Sequence, residues 1–311
     1  MNVLVTGGAG FVGSHVVDAY VRAGHRVVVV DDLSAGRAEQ VNPAAVLVRM
    51  DVRDPGLEEV LRAHDIAAIN HHAARIDVRA SVVDPRTDAE VNVLGTLQVL
   101  EAARRSGVGR VLFASSGGAV YGEQEAFPAT EAHPTRPLSP YGAGKLCAEV
   151  YCGVYARTFG LRVTVLRYAN VYGPRQQPRG DAGVVAVFCD RMRRGEPVTV
   201  HGDGRQTRDF VHVEDVAALN TLALEGPAPQ DGALTTLHVA SGVETDVATL
   251  HHLLAARFGD GRPPVHGPAK AGEPRRSVLD AARAAATLGW TPRIELADGL
   301  AATVDWFRAQ G

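Results

Sequence analysis

Tyr141 and Lys145 stand four positions apart in Ser139-Pro140-Tyr141-Gly142-Ala143-Gly144-Lys145. Proline suits the first turn of a helix, and an amphipathic run follows it. On a helix, positions i and i+4 share a face, so phenol and ammonium would lie together. An ammonium stabilises a neighbouring phenolate and draws its pKa down from about 10. A phenolate so placed is a general base for a hydroxyl whose carbon gives up hydride. Upstream, the apolar run Val111-Leu112-Phe113-Ala114 delivers Ser115 and Ser116, hydroxyls suited to the same oxygen. The Tyr-x-x-x-Lys spacing also describes an ordinary surface pair, so this reading needs a hydride acceptor elsewhere in the chain.

The acceptor's site is written near the N-terminus. The run Val3-Leu4-Val5 leads into Thr6-Gly7-Gly8-Ala9-Gly10-Phe11-Val12-Gly13, which contains G-x-G-x-x-G and also G-x-x-G-x-x-G. Such glycines permit a tight turn and close approach of backbone amides to a pyrophosphate, with the positive end of the following helix behind them. A strand before and a helix after are the context this motif requires. A second strand ends at Asp31-Asp32, 18 positions after Gly13, near the expected spacing of about 20. A carboxylate there accepts from ribose hydroxyls and repels a 2′-phosphate, which points to NAD rather than NADP.

The elements that hold these residues follow from hydrophobic pattern. Val27-Val28-Val29-Val30 reads as a buried parallel strand. Further strands are expected at 45–48, 67–70, 110–114, 162–167 and 237–239, with helices at 57–63, 85–106 and 141–159. Alternation of this kind predicts an α/β chain with a Rossmann-type, doubly wound parallel sheet. Beyond Gly173-Pro174 the pattern loosens. Helices are expected at 182–194, 214–223, 248–258, 281–287 and 296–308, with a short strand at 198–200. The division this predicts is a dinucleotide-binding domain at 1–173 and a smaller α/β substrate-binding domain at 174–209 and 243–311. Residues 210–242 fold back onto the first domain.

Composition narrows the class. Of 311 residues, 46% are hydrophobic and 22% charged, with a net charge of −3. This balance excludes a disordered or collagen-like chain and gives no electrostatic reason to expect nucleic acid or membrane as partner. No apolar run reaches the roughly 18 residues of a membrane span. The start shows no basic, cleavable leader, and three cysteines without zinc spacing suit a reducing cytoplasm. No metal site is expected. Among 32 basic residues only Lys145 and Lys270 are lysines. A GC-rich genome accounts for the arginine bias, but not for the survival of lysine at these two places, since arginine cannot replace a compact, tunable ammonium.

In order and spacing, several segments together resemble the extended short-chain dehydrogenase/reductases of the NAD-dependent epimerase/dehydratase family. They are Thr6 to Gly13, Asp31, Met50-Asp51-Val52, His72-Ala73-Ala74, Asn92, Ser115-Ser116 through Val120-Tyr121-Gly122, Tyr141 and Lys145. They continue with Leu166-Arg167-Tyr168-Ala169-Asn170-Val171-Tyr172-Gly173-Pro174, Arg208-Asp209-Phe210-Val211-His212-Val213, Lys270-Ala271-Gly272-Glu273 and Leu288-Gly289-Trp290-Thr291-Pro292. The resemblance covers essentially the whole chain and is greatest to members acting at C4 of UDP-glucose and UDP-galactose. It implies that Gly7, Gly10, Phe11, Val12 and Gly13 meet the pyrophosphate, and Asp31 and Asp32 the adenosine ribose. Asp51 and Val52 would flank adenine. His72, Ala73, Ala74, Asn92, Ser115, Tyr168 and Lys145 would lie along the nicotinamide half. Tyr141, Lys145 and Ser116 would be catalytic. Asn170, Arg208 and Lys270 would hold the UDP phosphates, Thr199 and His201 the uridine, and Ser277 the sugar's 2-substituent.

Departures from the family pattern qualify the resemblance. Gly117 stands where many members have a Ser or Thr, which passes that hydroxyl's role to Ser116. Lys270 replaces the usual arginine. Ser277 is small enough to admit N-acetyl groups. Gly118-Ala119 replaces the Asp-Glu pair with which related 4,6-dehydratases remove water, and this disfavours dehydration. The implied activity is 4-epimerisation of a UDP-hexose, and the implied assembly a homodimer through the helices at 85–106 and 141–159. An epimerase for another nucleotide sugar such as UDP-glucuronate, and a non-catalytic NAD-binding regulator, stay open as alternatives.

Overall fold

Continuous β-branched runs form the centre of the molecule. Residues 1–178, 183–229, 232–269 and 274–310 are described by a computed structural model. Seven parallel strands make the main sheet: β1 (Asn2–Thr6), β2 (Arg26–Asp31), β3 (Val46–Arg49), β4 (Ala68–His71), β5 (Arg110–Ser116), β6 (Arg162–Tyr168) and β10 (Leu234–Val239). Their spatial order is β10-β6-β5-β4-β1-β2-β3. The chain therefore runs outward from β1 to β3, then returns to the other side of β1. That reversal opens a crevice between the carboxyl ends of β1 and β4, where ligands of such sheets bind.

Helices cover both faces. α1 (Phe11–Arg22) packs on α9 (Val213–Glu225) over one face. α2 (Leu57–Ala63), α5 (Gly95–Ser106) and α7 (Pro140–Phe159) lie over the other. The two cores are buried aliphatic clusters, one with Val3, Val5, Val16 and Leu237, the other with Leu4, Ile69, Val99 and Val163. Ser139 caps α7 by accepting from Gly142 N at 3.2 Å, Pro140 follows it, and Gly160 at φ 73° ends the helix.

The helix expected at 85–106 is broken into three. α3 (Val78–Val83) precedes it, α4 (Pro85–Ala89) starts it, a π-helical stretch follows at Glu90–Leu94, and α5 completes it. Asn92 lies in the wide turn and bonds both backbone groups of Arg75, at 2.9 Å each, and the Asp88 carboxylate at 3.0 Å. Holding the crevice loop is what the bulge does, and π-bulges gather at such places.

The smaller lobe has its own core of Phe188, Leu250, Leu254, Val304 and Phe307. These come from α8 (Val184–Arg193), α10 (Val247–Phe258) and α12 (Leu296–Arg308). Two small sheets join it to the crevice. One sets β7 (Asn170–Tyr172) parallel to β9 (Thr207–His212), with β11 (Glu244–Asp246) antiparallel beside it. The other pairs β8 (Thr199–His201) with β12 (Val265–Gly267). α11 (Ala282–Leu288) packs on β10, and a single turn, α6 (Gly117–Val120), follows β5.

Candidate active site

The crevice begins at the glycine turn. Gly7 adopts φ 67°, and a Cβ there would stand 2.6 Å from the Ala73 amide nitrogen. A Cβ at Gly13 would run into the Gly7 carbonyl. Gly10 starts α1 with no side-chain cap, so the first-turn amides of the helix, including those of Phe11, Val12 and Gly13, are available to an anion. Asp31 ends β2 and is buried; one oxygen accepts from Ala9 N at 3.0 Å, the other from Leu33 N at 2.9 Å. Burial raises its carboxyl pKa, and the two amide bonds pull against that. Asp32 accepts from the Ser34 amide and hydroxyl. Asp51 is held by its neighbour Arg53, whose hydrogen bonds lower the carboxyl pKa. Val52 is core.

Across the crevice, Thr6 Oγ1 lies 2.6 Å from His71 Nδ1 and accepts from Ala73 N at 3.2 Å. His72 stacks on Tyr168, and its Nε2 is buried without a hydrogen-bond partner. Ala74 is partly buried beside it. Tyr168 shares its hydroxyl with Asn220. The uncapped helix, the glycine surface, the carboxylate that ends β2 and the orphaned imidazole nitrogen form a set that a dinucleotide fits.

Tyr141 and Lys145 lie in the first turns of α7. The Ser116 hydroxyl is close enough to the Tyr141 phenol to lower its pKa. Lys145 is buried; its Nζ donates to the Ala114 carbonyl at 2.9 Å and sits 4.9 Å over the Phe113 ring. Here the sequence expectation requires correction. Tyr141 is not drawn below its usual value by the lysine. Burial carries it up to about 12, with Asp88 adding to the rise and only the Ser116 bond opposing it. Lys145 itself is pushed down to about 8 by burial, while Asp88 and Glu149 hold it up. In the protein alone desolvation dominates at both groups, and the charges that act on them are those of Asp88 and Glu149 rather than each other's.

The residues expected at the substrate are spread over four segments. Asn170 opens β7, and its Oδ1 is 3.8 Å from where a Gly118 Cβ would be. Arg208 on β9 donates from Nη1 to the Thr207 and Pro274 carbonyls, at 2.8 and 2.9 Å. Thr199 and His201 both face Gly267 of the paired strand. Ser277 is buried. Lys270 falls outside the described residues. A Cβ at Gly117 would collide with Leu279 Cδ1, so the hydroxyl absent there is replaced by an aliphatic side chain from the 274–280 strap.

Sequence reasoning passed over a buried ionic chain beside the site. Glu149 accepts from Ser115 Oγ at 2.5 Å and from Arg167 Nη2 at 2.5 Å; Arg167 Nη1 donates to Tyr121 Oη at 2.6 Å. Ser115 is thus turned to this chain. The Lys145-x-x-x-Glu149 spacing was the available signal. Among the described residues no group of His, Cys, Asp and Glu could hold a metal.

The model of the NAD dependent epimerase/dehydratase family matches residues 3–234. A UDP-glucose 4-epimerase from Mycolicibacterium smegmatis is 45% identical over 99% of both chains. Two solved structures are similar. UDP-glucose 4-epimerase of Thermotoga maritima with UDP-glucose has TM-score 0.96 and 44% identity, covering 100% of this chain and 99% of that one. UDP-glucose 4-epimerase of Thermus thermophilus in complex with NAD has TM-score 0.92 and 42% identity, covering 99% of each.

Proposed function

Since this chain belongs to the NAD-dependent epimerase/dehydratase family, we propose that it interconverts UDP-glucose and UDP-galactose at C4, with NAD retained as a bound cofactor. The observation that carries the reading is Ser116 acting on Tyr141, with the buried Lys145 one turn along α7 and close enough to His71 and His72 in the crevice to add to the lowering of their pKa values by burial. Gly7, Gly10 and Gly13 would hold the pyrophosphate and Asp31 the adenosine ribose. His72, Ala73, Asn92 and Lys145 would lie along the nicotinamide half. Bound there, NAD would supply a reversible hydride acceptor for C4 of the sugar, so the overall reaction would have no net redox change.

Tyr141 Oη receives the proton of the C4 hydroxyl as that carbon becomes a ketone, and later returns it. Ser116 orients the hydroxyl and keeps Tyr141 aimed at it. Lys145 stabilises the phenolate by its charge. Asn170 and Arg208 grip the diphosphate, so the keto-sugar alone turns over and offers its other face. Gly118 and Ser277 leave room for that turn. Gly118 and Ala119 supply no acid or base, so water is not eliminated. The small Ser277 extends the substrate range to UDP-N-acetylhexosamines. A cytoplasmic homodimer is the form in which the enzyme works.

Purified protein, given UDP-galactose and no added cofactor, is expected to yield UDP-glucose by chromatography. Absence of interconversion across a UDP-hexose and UDP-hexuronate panel, with no transient absorbance of reduced nicotinamide, would favour a non-catalytic NAD-binding regulator. Brisk epimerisation of UDP-galactose with no turnover of UDP-GlcNAc would remove the N-acetyl extension alone.

A further inference from the structure

Glu149 lies four residues beyond Lys145 and eight beyond Tyr141 on α7, so all three share one helix face. Its carboxylate is buried, 7% exposed, and fully engaged. Oε1 accepts from Ser115 Oγ at 2.5 Å and Arg167 Nε at 3.0 Å; Oε2 accepts from Arg167 Nη2 at 2.5 Å. Ser115 and Arg167 are register partners across β5 and β6. The helix carboxylate thus bridges two neighbouring strands at their carboxyl ends.

The bridge extends further. Arg167 Nη1 donates to Tyr121 Oη at 2.6 Å, and Tyr121 Oη lies 2.5 Å from His238 Nε2. With the arginine always a donor, one proton arrangement satisfies every group: Tyr121 donates to Nε2, and Nδ1–H donates to the Asp280 carbonyl, 2.9 Å away. A neutral imidazole is what this needs, and burial lowers the His238 pKa. Asp280 ends the strap that carries Ser277 and places Leu279 over Gly117.

A buried ion pair is not a general stabiliser, because desolvation offsets its attraction and apolar replacements of similar size often serve as well. Charges kept here need another reason, and their positions supply one. Ser115 precedes Ser116, the hydroxyl that meets Tyr141. We propose that Glu149, clamped by Arg167, is a positioning residue: it fixes Ser115 and so sets Ser116 against Tyr141. The Tyr121–His238 arm ties the same clamp to the strap over the sugar pocket. Base and pocket then keep one register while the keto-sugar turns.

The proposal rests on the 4-epimerase reading, and wild-type turnover of UDP-galactose is the control that separates the two. Ser115→Ala cuts the serine link and leaves the ion pair. It is expected to keep its NAD and its KM within about twofold, while kcat falls about tenfold, as for a reacting group slightly misplaced. Glu149→Gln also removes a negative charge that helps keep Lys145 protonated. Its alkaline kcat limb should shift down by about one pH unit, which a merely destabilised enzyme would not show. Wild-type kcat in Ser115→Ala overturns the proposal, whether or not Glu149→Gln folds. So does a folded Glu149→Gln whose pH profile has not moved.

Discussion

At Tyr141 two effects oppose one another. Burial holds the phenol up at about 12, and the Ser116 hydrogen bond pulls it down. The proposed mechanism needs a base near neutrality; an oxidised nicotinamide in the crevice would supply positive charge that the fold alone does not, and the Lys145 ammonium would add to it as Tyr141 ionises. Tyr141→Phe should lose at least about a hundredfold in turnover while its bound NAD, released by denaturation and assayed, stays at wild-type level. Retained turnover would remove Tyr141 from the reaction. Lys145 is charged below about pH 8 and neutral above it. Its help to the phenolate therefore fades as pH climbs through that value. Lys145→Met should be about a hundredfold slower at pH 7, and the deficit should shrink above pH 8. A wild-type-to-mutant kcat ratio that stays flat to higher pH contradicts this role. The Tyr–Lys pair was legible because its spacing is local and helical. Glu149 and Arg167 were not, since their meeting depends on a helix lying across two strands. The shift on Tyr141 was misjudged because spacing reports proximity and says nothing of desolvation.

Elements were legible where one physical pattern ran unbroken. Val27 to Val30 and the glycine turn announced β2, β1 and α1 because full burial demands continuous apolar residues. The strands β7, β9 and β11 have no such run. They are short ladders at the edge of the crevice, specified by pairing with distant segments. The 85–106 helix lost its regularity to Asn92, a side chain recruited to hold the Arg75 backbone. Gly117 is the sharpest case of an element constraint read as a functional gap. The missing hydroxyl follows from the strap, whose Leu279 fills the space. Gly117→Ser is therefore expected to destabilise the fold by about 1–3 kcal/mol through overpacking. Leu279→Ala alone costs about 2–5 kcal/mol by leaving a cavity. In denaturant unfolding, the double variant should lose clearly less than the sum, because each change relieves the other. Strict additivity would mean that the two side chains do not meet.

For the whole molecule, two surfaces matter, one outside and one within. On α7 the exposed Cys147, Val150, Tyr151 and Val154 recur at helical spacing, with Leu94 exposed at the head of α5. An apolar stripe on adjacent helices suits burial against a second copy. Val154→Arg should halve the mass seen in sedimentation, and a wild-type monomer at micromolar concentration would end the homodimer proposal. Within, burial lowers the pKa of His15 to about 4 and of His71 and His72 to about 3, and also lowers His212, His238 and His251. Each folded pKa lies below the unfolded value near 6.5. As pH falls through that value the unfolded chain takes up protons first, so stability is present above it and is lost on acidification. Asp31, Asp88 and Asp209 act in the opposite sense, since their folded pKa values are raised. For the buried His15 and His71 the loss is on the order of 1 kcal/mol each for the first pH unit below 6.5. The thermal midpoint should accordingly drop between pH 7 and pH 5.5. A midpoint that stays level or rises over that interval, or imidazole resonances of His71 that titrate near 6.5, would show these rings to be solvated and the crevice looser than its hydrogen bonds require.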